Sequence, residues 1–514
     1  MAEPSSAFAR ALLPLAVALA LAGCSASVPR AAAVGPLPVL TVPAGVPVVP
    51  GLQIGRWWTL FGDAELDRLV AQALQHNADL AVAAARLREA RSRFDELRGA
   101  ELPTLELQAS AGRLRASAEA SGSGQAFIAS NQQVKLAAQF DVDLWGRLAS
   151  ATDAAGARLA AQAWARAAVE WSLSAQLAEA HFRHRALQRQ IDIAAAVRDG
   201  RARAEALRRI ERAAGGASEL ELRRAEAERA GAAATLAALQ RQRLAAVGVI
   251  ALLAGDAPSA LGTIAAAAAP LDPTLDFMPR LPQGELADWL RQRPDLRQAE
   301  SLLAAADADT AAARAALLPS LRLTGNAGGD AVDLSHLFDW RGFAWSMAAG
   351  LAQPIFDGGQ LRTRVQQAEA RADAALAQYG HSVANALVEI RDAYAALDIA
   401  QRALAAERER VAALDRATRL ARLGEQAGAT TQLDVLDAER QQFQAQLAEV
   451  DAYRDRLIGQ VAVFKALGGG HDADPRLVGQ GRAAPEPTRS PRGARRAFAA
   501  ARGQSHNPET GVDR

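Results

Sequence analysis

The chain has 514 residues, of which half are apolar but only 5% are aromatic. Its 58 basic and 57 acidic residues leave a net charge of +1, so it lacks the positive field that nucleic-acid binding requires. Cys24 is the only cysteine, which excludes an intramolecular disulfide and any metal site built from several cysteines. The many alanines and few aromatic residues favour long, closely packed helices.

A short apolar stretch near the N-terminus indicates secretion. It covers residues 11–22, too few for a membrane-spanning helix, and leads into the sequence LAGCS at residues 21–25. This sequence resembles a bacterial lipoprotein signal, in which the cysteine becomes the lipidated first residue of the mature chain. We therefore expect a signal peptide over residues 1–23, a lipid on Cys24 and, because serine rather than aspartate follows, transfer to the outer membrane. The alternative is an ordinary signal peptide with an incidental cysteine.

The next segments predict a linker, a helix and a β-hairpin. Residues 24–57 are rich in proline and alanine and lack periodicity, which indicates an extended linker. Apolar residues then recur at helical spacing over 63–97. Residues 105–111 and 134–143 alternate apolar and polar side chains on either side of a glycine- and serine-rich turn, which predicts two antiparallel strands.

Beyond the hairpin the sequence predicts a helical rod. Helical periodicity runs from Gly146 to about Ala213, and such a helix of about 65 residues is about 100 Å long. Turn and N-cap residues at 215–218 interrupt the pattern, after which a second long helix extends to Gly255.

The second half repeats these elements. LPTLEL at 102–107 returns as LPSLRL at 318–323, about 216 residues later, and beyond the hairpin the offset falls to about 213. We predict two repeats, residues 58–264 and 265–470, and a shorter hairpin loop in the second. The tail, residues 471–514, lacks periodicity and is expected to be disordered.

The two hairpins indicate a fragment of a membrane β-barrel. Their strands carry small or apolar residues on one face and polar residues on the other. Four strands cannot close, and an open edge in hydrocarbon leaves unpaired amides that cost several kcal/mol each. Three chains would close a barrel of about twelve strands around an aqueous lumen, whereas two would give about eight, which side chains fill. The alternative is two hairpins packed on soluble helices.

Several motifs, in this order, resemble the TolC-like outer-membrane efflux proteins, in particular the lipoprotein subunits of resistance-nodulation-division (RND) pumps. They are WTLFGD (58–63), NADL (77–80), DVDLWGR (141–147), RPDL (293–296), PIFDGG (354–359) and LDVLDA (433–438). The resemblance implies a mainly α-helical homotrimer whose twelve-stranded barrel in the outer membrane continues into a periplasmic α-helical barrel. It further implies a periplasmic adaptor (membrane fusion) protein and an inner-membrane RND transporter as partners, with passive conduction of small molecules such as drugs.

The start of the last helix is the candidate gate. Asp434 and Asp437 lie three residues apart, so both carboxylates are expected on nearly one helical face, six of them in a trimer. Arg440 is placed to pair with Asp437. The resemblance makes these aspartates an acidic constriction and Leu433 an apolar gate residue. The alternative is a solvated helix start, where acidic residues favour the helix dipole.

The remaining candidate residues follow the repeats and the resemblance. Family members often carry a gate tyrosine where this chain has Glu425, so their closed-state contacts are not expected here. The residues expected to form the tips and to contact the adaptor are Gly215, Ser218, Glu221, Gly428 and Thr431. Those expected at the junction of barrel and tunnel are Trp145, Gly146, Gly358 and Gly359.

No enzyme motif is present in the sequence, and we expect no catalytic residue. His181 and His184 share a helical face, but without a third ligand nearby a solvated helix is favoured over a metal site. We expect no cofactor other than the lipid on Cys24, and no metal. The alternatives to the efflux duct are the exit duct of a type I protein secretion system and a structural periplasmic lipoprotein without a channel.

Overall fold

A computed structural model describes residues 48–50, 55–119, 122, 124–256, 269–273, 279, 281–283 and 286–468. Cys24, the signal peptide, most of the linker and the tail at 471–514 lie outside the described residues. What the sequence indicates for them stays a prediction.

The first repeat contains the predicted elements in the predicted order. After strand β1 and a short 3-10 helix at Trp57–Phe61, it runs through a pair of short helices, a hairpin and a pair of long helices. The elements are β1 (Val48–Pro50), α1 (Ala64–His76), α2 (Ala78–Gly99), β2 (Thr104–Ala116), β3 (Phe127–Val142), α3 (Arg147–Ala213) and α4 (Glu219–Ala254).

The second repeat has the same succession. Its elements are β4 (Leu281–Gln283), α5 (Leu286–Gln292), α6 (Pro294–Ala315), β5 (Ser320–Ala331), β6 (Phe343–Ala352), α7 (Gln360–Gln426) and α8 (Gln432–Ala466). The first long helix has 67 residues in both repeats, and the second has 36 in one and 35 in the other. The prediction of two equivalent units with rods of about 100 Å is therefore confirmed.

The helix predicted over 63–97 is two helices, which meet at Asn77. The side-chain oxygen of Asn77 accepts hydrogen bonds from the amides of Asp79 at 2.8 Å and Leu80 at 3.2 Å, so Asn77 caps α2. At the equivalent place in the second repeat, Pro294 begins α6, a position where its missing N–H costs nothing. The repeated tetrapeptide at 77–80 and 293–296 is thus a helix break.

The predicted shortening of the second hairpin loop is wrong. The paired strand ends are Ala116 with Phe127 in the first repeat and Gly329 with Phe343 in the second, so the second loop is the longer one. The strands themselves are shorter, with 12 and 10 residues against 13 and 16. Pro354 explains the early end of β6, because proline cannot donate to a strand ladder.

The hairpins join into one sheet with the order β2-β3-β5-β6, antiparallel throughout. Among the described residues, neither outer strand, β2 or β6, has a partner strand on its second edge. The α-helices that adjoin the strands all connect to the sheet at the same end. Both hairpin loops lie at the opposite end, and the second contains two short 3-10 helices.

The end of the linker is not an unpaired extended segment. Strand β1 pairs in parallel with β4, which brings the start of both repeats together. Trp57, which the sequence placed in the linker, is 1% exposed and stacks on Phe464 with 5.6 Å between ring centroids.

The core lies where the short helices pack against the middle of the long ones. Its central side chains are almost fully buried and come from both repeats. They include Leu66, Leu177, Ile250, Ile390, Leu397 and Phe464. Leu177 lies about 45 Å along α3 from the sheet, so the core is a belt around the middle of the rods.

Candidate functional site

The four-stranded sheet has one apolar and one polar face. A row across it joins Leu107, Leu136, Ala327 and Trp345, whereas the next row joins Glu106, Ala137, Asn326 and Ser346. The apolar side chains are exposed in the single chain, with 69% for Leu107 and 68% for Trp345. This alternation is typical of strands between lipid and a watery lumen, and it agrees with the sequence prediction.

The polar face carries a bonded charge group near the helical end of the sheet. Arg322 Nε donates to Asp141 Oδ1 at 2.7 Å across β3 and β5, and Arg147 lies 4.0 Å from the same carboxylate. The group links a strand of each repeat to the first turn of α3.

The junction residues predicted from the sequence do lie between sheet and rods. Trp145 Nε1 donates to the carbonyl of Pro319 at 2.8 Å, a bond from one repeat to the other. Gly146 and Gly359 precede α3 and α7 with φ of 73° and 85°, the left-handed region that glycine adopts without strain. Asp143 and Asp357 accept the amides of Ala149 and Leu361 at 2.8 Å each, a capping role that the sequence analysis missed.

Both tips are built by the same capping box. In the first, the amide and hydroxyl of Ser218 donate to the Glu221 carboxylate at 2.7 and 2.9 Å; in the second, those of Thr431 donate to Asp434 at 2.9 and 2.6 Å. The Thr431 bonds hold the pKa of Asp434 below its usual range, and those of Ser218 do the same for Glu221. The Asp434 carboxylate therefore folds back on its own helix start and does not project beside Asp437.

Asp437 has the partner that the sequence predicted, and one more. Arg440 donates to it at 2.6 Å and Gln441 at 2.5 Å, on an exposed face of α8. Leu433 is 62% exposed, one turn earlier. The carbonyl of Glu425 accepts the amide of Gly428 at 3.0 Å, so the glutamate belongs to the turn at the end of α7.

A charge cluster above the second tip was not found from the sequence. Glu439 of α8 pairs with Arg201 of α3 at 2.9 Å and with Arg422 of α7 at 2.8 Å. Arg201 is 9% exposed, and a buried arginine bound to carboxylates is costly to separate from them. The cluster connects helices of both repeats close to the candidate gate. Its residues lie far apart in sequence, so local spacing carried no signal.

The two histidines are not on a solvated helix, which corrects the prediction. His181 and His184 are each 1% exposed. His181 Nε2 lies 2.8 Å from Asp63 Oδ2, and Arg185 bonds the same carboxylate. Burial alone would raise the pKa of Asp63, but the bond from His181 and the nearby cations lower it. Within the described ranges, no group of three or more His, Cys, Asp or Glu side chains could hold a metal ion.

Comparison with known proteins decides the identity. Residues 69–256 and 286–469, nearly the whole of both repeats, match the family described as outer membrane efflux protein. The chain belongs to this family.

Individual relatives support the same family assignment. The chain is 34% identical to the outer membrane protein OprJ of Pseudomonas aeruginosa, over 82% of this chain and 88% of that protein. It is 33% identical to the toluene efflux pump outer membrane protein TtgI of Pseudomonas putida, over 80% and 86%. The open-state structure of the MtrE outer membrane channel of Neisseria gonorrhoeae is 30% identical with a TM-score of 0.73, over 85% of this chain and 99% of that one.

These findings establish the functional class of the protein and its location in the cell. It is an outer-membrane efflux channel that extends into the periplasm, with a fold of two repeats. The sheet is its membrane part, and the rods with their tips are its periplasmic part.

Proposed function

We propose that three copies of the chain form one exit duct with a closed barrel of twelve strands. The free edges of β2 and β6 carry this proposal. An open edge in hydrocarbon costs several kcal/mol per unpaired amide, and the antiparallel order lets β6 of one copy pair with β2 of the next. The third such pairing closes the ring.

The exposed side chains of the rods support the same assembly. Among the described helices, only α4 combines the length and the mean hydropathy, 1.4, of a membrane span. Yet α4 belongs to the periplasmic rods, and Leu244 and Leu252 on it are 67% and 76% exposed. Neighbouring copies packed side by side would bury this apolar stripe, whose exposure to water is costly.

The gate of the duct is proposed at the second tip. Since the Asp434 carboxylate is bound to the N-cap residue Thr431, Asp437 is the acidic side chain left to face the axis. Its partners are Arg440 and Gln441. Three such groups around one axis would form a charged constriction that favours cations. Leu433, exposed beside it, is the apolar part of the proposed gate.

The duct is proposed to work passively within a tripartite pump. A periplasmic adaptor would contact the tips at Gly215, Ser218, Glu221, Gly428 and Thr431, and an inner-membrane RND transporter would supply small molecules such as drugs. The names of relatives, which include a toluene efflux pump, favour this over a type I secretion duct. A lipid on Cys24 would anchor each chain in the outer membrane.

The experiment is to purify the full-length protein from outer membranes in mild detergent. We expect a mass of three chains that falls to one on heating, and ion conductance when the trimer is added to planar bilayers. A monomer without conductance would contradict the proposed trimeric duct.

A further inference from the structure

Two arginines on the lipid-facing side of the sheet have no role in the duct described so far. Arg113 and Arg115 lie at the end of β2 next to the outer hairpin loop. Their register partners, Ser130 and Ile128, lie on the same face as Leu105 and Leu107. Both arginines are exposed. We propose that this outer basic pair, Arg113 and Arg115, binds phosphate-bearing lipid headgroups of the outer leaflet.

The pairing of the other charges in the sheet supports this assignment. The two remaining cations of the four strands have polar partners on the lumen face: Arg322 bonds Asp141 at 2.7 Å, and Lys135 bonds Gln133 at 3.2 Å. Among the described residues, neither member of the outer basic pair has an ion-pair partner. An unpaired arginine on a lipid-facing surface is costly unless an anion meets it.

The height of the pair fits a headgroup layer. With a rise of about 3.4 Å per residue and a tilt of about 40°, Arg113 stands about 20 Å above Leu105, and Arg115 about 25 Å. The apolar band of such barrels is about 25 Å tall, so the guanidinium groups reach the level where acyl chains end.

Aromatic side chains mark the same boundary on the other hairpin. Trp340 and Phe343 stack with 5.2 Å between ring centroids at the loop end of β6, and Trp340 is 84% exposed. Aromatic residues of barrels gather at the membrane–water interface. Arginine presents a planar fork of donors that matches a phosphate, which makes it better suited to this layer than a neutral polar residue.

The inference rests on the proposed barrel, and its test is done on the full-length trimer. The trimer is placed in nanodiscs of phosphatidylcholine containing diphosphoryl lipid A, and the lipid that stays bound is measured by native mass spectrometry. We expect the wild type to retain lipid A in preference to phosphatidylcholine. In the Arg113→Gln/Arg115→Gln variant this preference should be roughly ten- to thirtyfold weaker, because each cation near a charged membrane surface contributes about 1 kcal/mol. The preference should also fall as salt rises.

The matched control is Lys135→Gln, which removes a cation from the opposite face of the same sheet and should leave retention unchanged. Equal retention by the wild type and the double variant overturns the inference, as does retention that does not depend on the phosphates when lipid A without them is used. A lower trimer melting temperature of the double variant in every lipid also overturns it, since the pair would then bond a neighbouring copy. Conductance and trimer mass of the same samples test the barrel separately: a conducting trimer with equal retention overturns only the lipid site.

Discussion

The two repeats share every element but differ in chemistry at equivalent positions in the middle of the rods. By the offset of about 213, His181 and His184 of α3 correspond to Tyr394 and Leu397 of α7. All four side chains are buried in the core belt. The first repeat therefore holds two imidazoles where the second holds a phenol and an aliphatic side chain.

The tips differ in a similar way. Glu221 and Asp434 take the same place in their capping boxes, and Gly215 and Gly428 have left-handed φ values of 78° and 73°. At the next turn, however, Arg224 of the first tip stands where the second has Asp437. Residues that shape the backbone are shared by both tips because both must turn. The exposed charge at the next turn differs, as expected if only the second tip holds the proposed gate.

The largest expected effect concerns His184. Burial, with the charges of His181 and Arg243, lowers its pKa from 6.5 to about 4. Between these values the unfolded chain takes up a proton that the folded chain does not, so stability is full above pH 6.5 and falls as pH drops to about 4. We expect a loss of about 2 kcal/mol of stability from pH 7 to pH 4.5.

His184→Leu, which copies Leu397, should abolish this part of the pH dependence. Denaturation in detergent at both pH values measures it, with the exposed loop residue His336→Leu as the control. If His184→Leu and the wild type lose the same stability on acidification, the difference between the repeats has no electrostatic consequence.

The second effect is on ion selectivity. Asp437→Arg gives the second tip the charge of the first, and in a trimer it should change a cation-favouring constriction into an anion-favouring one. We expect the permeability ratio of K⁺ to Cl⁻ to change on the order of tenfold, from about 1.4 kcal/mol of interaction near a charged ring. Reversal potentials in planar bilayers measure the ratio. The reciprocal control Arg224→Asp should have little effect, and an equal response of the two tips would remove the distinction between them.

The third effect is a loss of stability at the helix starts, and it should be equal in both repeats. Ser218→Ala and Thr431→Ala each remove the hydroxyl of a capping box, at a cost of about 1 kcal/mol to the helix start. Amides in the first turns of α4 and α8 should then exchange with solvent about fivefold faster, as followed by hydrogen-exchange mass spectrometry. A change at one tip alone would mean that the two boxes are not equivalent.

The smallest effect is the acid response of the same caps. The pKa values of Asp434 and Glu221 are lowered from 3.8 and 4.5, so their bonds stabilise the tips above those values and are lost as pH falls through the lowered ones. Exchange of the tip amides, corrected for its intrinsic pH dependence, should be unchanged from pH 7 to about 5 and increase below about 4. Asp434→Asn should remove this response at the second tip and leave it at the first.

Periodicity was enough to predict the order of helices and hairpins, because a rod or a strand repeats its pattern over many residues. Periodicity does not predict the break at Asn77, although the tetrapeptide around it returns in the second repeat. A single capping side chain interrupts a helix without disturbing the apolar spacing. The role of Asp434 was readable in principle from Thr-x-x-Asp, the signature of a capping box.

Contacts between residues far apart in the chain could not be predicted from local sequence patterns. The bond from Trp145 to Pro319 and the cluster of Arg201, Arg422 and Glu439 join residues that only the folded chain brings together. The burial of His181 and His184 does not follow from the sequence for a related reason. Long helices packed on several sides have no single solvent face, so the position of a polar residue on the helix does not predict whether it is exposed.

The position of the core belt has a mechanical consequence. The core belt holds α3 and α7 near their middle. The half of each helix between the belt and the tip is therefore a lever about 50 Å long. A rotation of one degree about that fulcrum displaces the tip by about 1 Å, the scale of helix shifts that operate switches in other proteins. A few degrees of tilt would thus widen the periplasmic entrance by several ångströms at each helix pair while the sheet in the membrane stayed at rest.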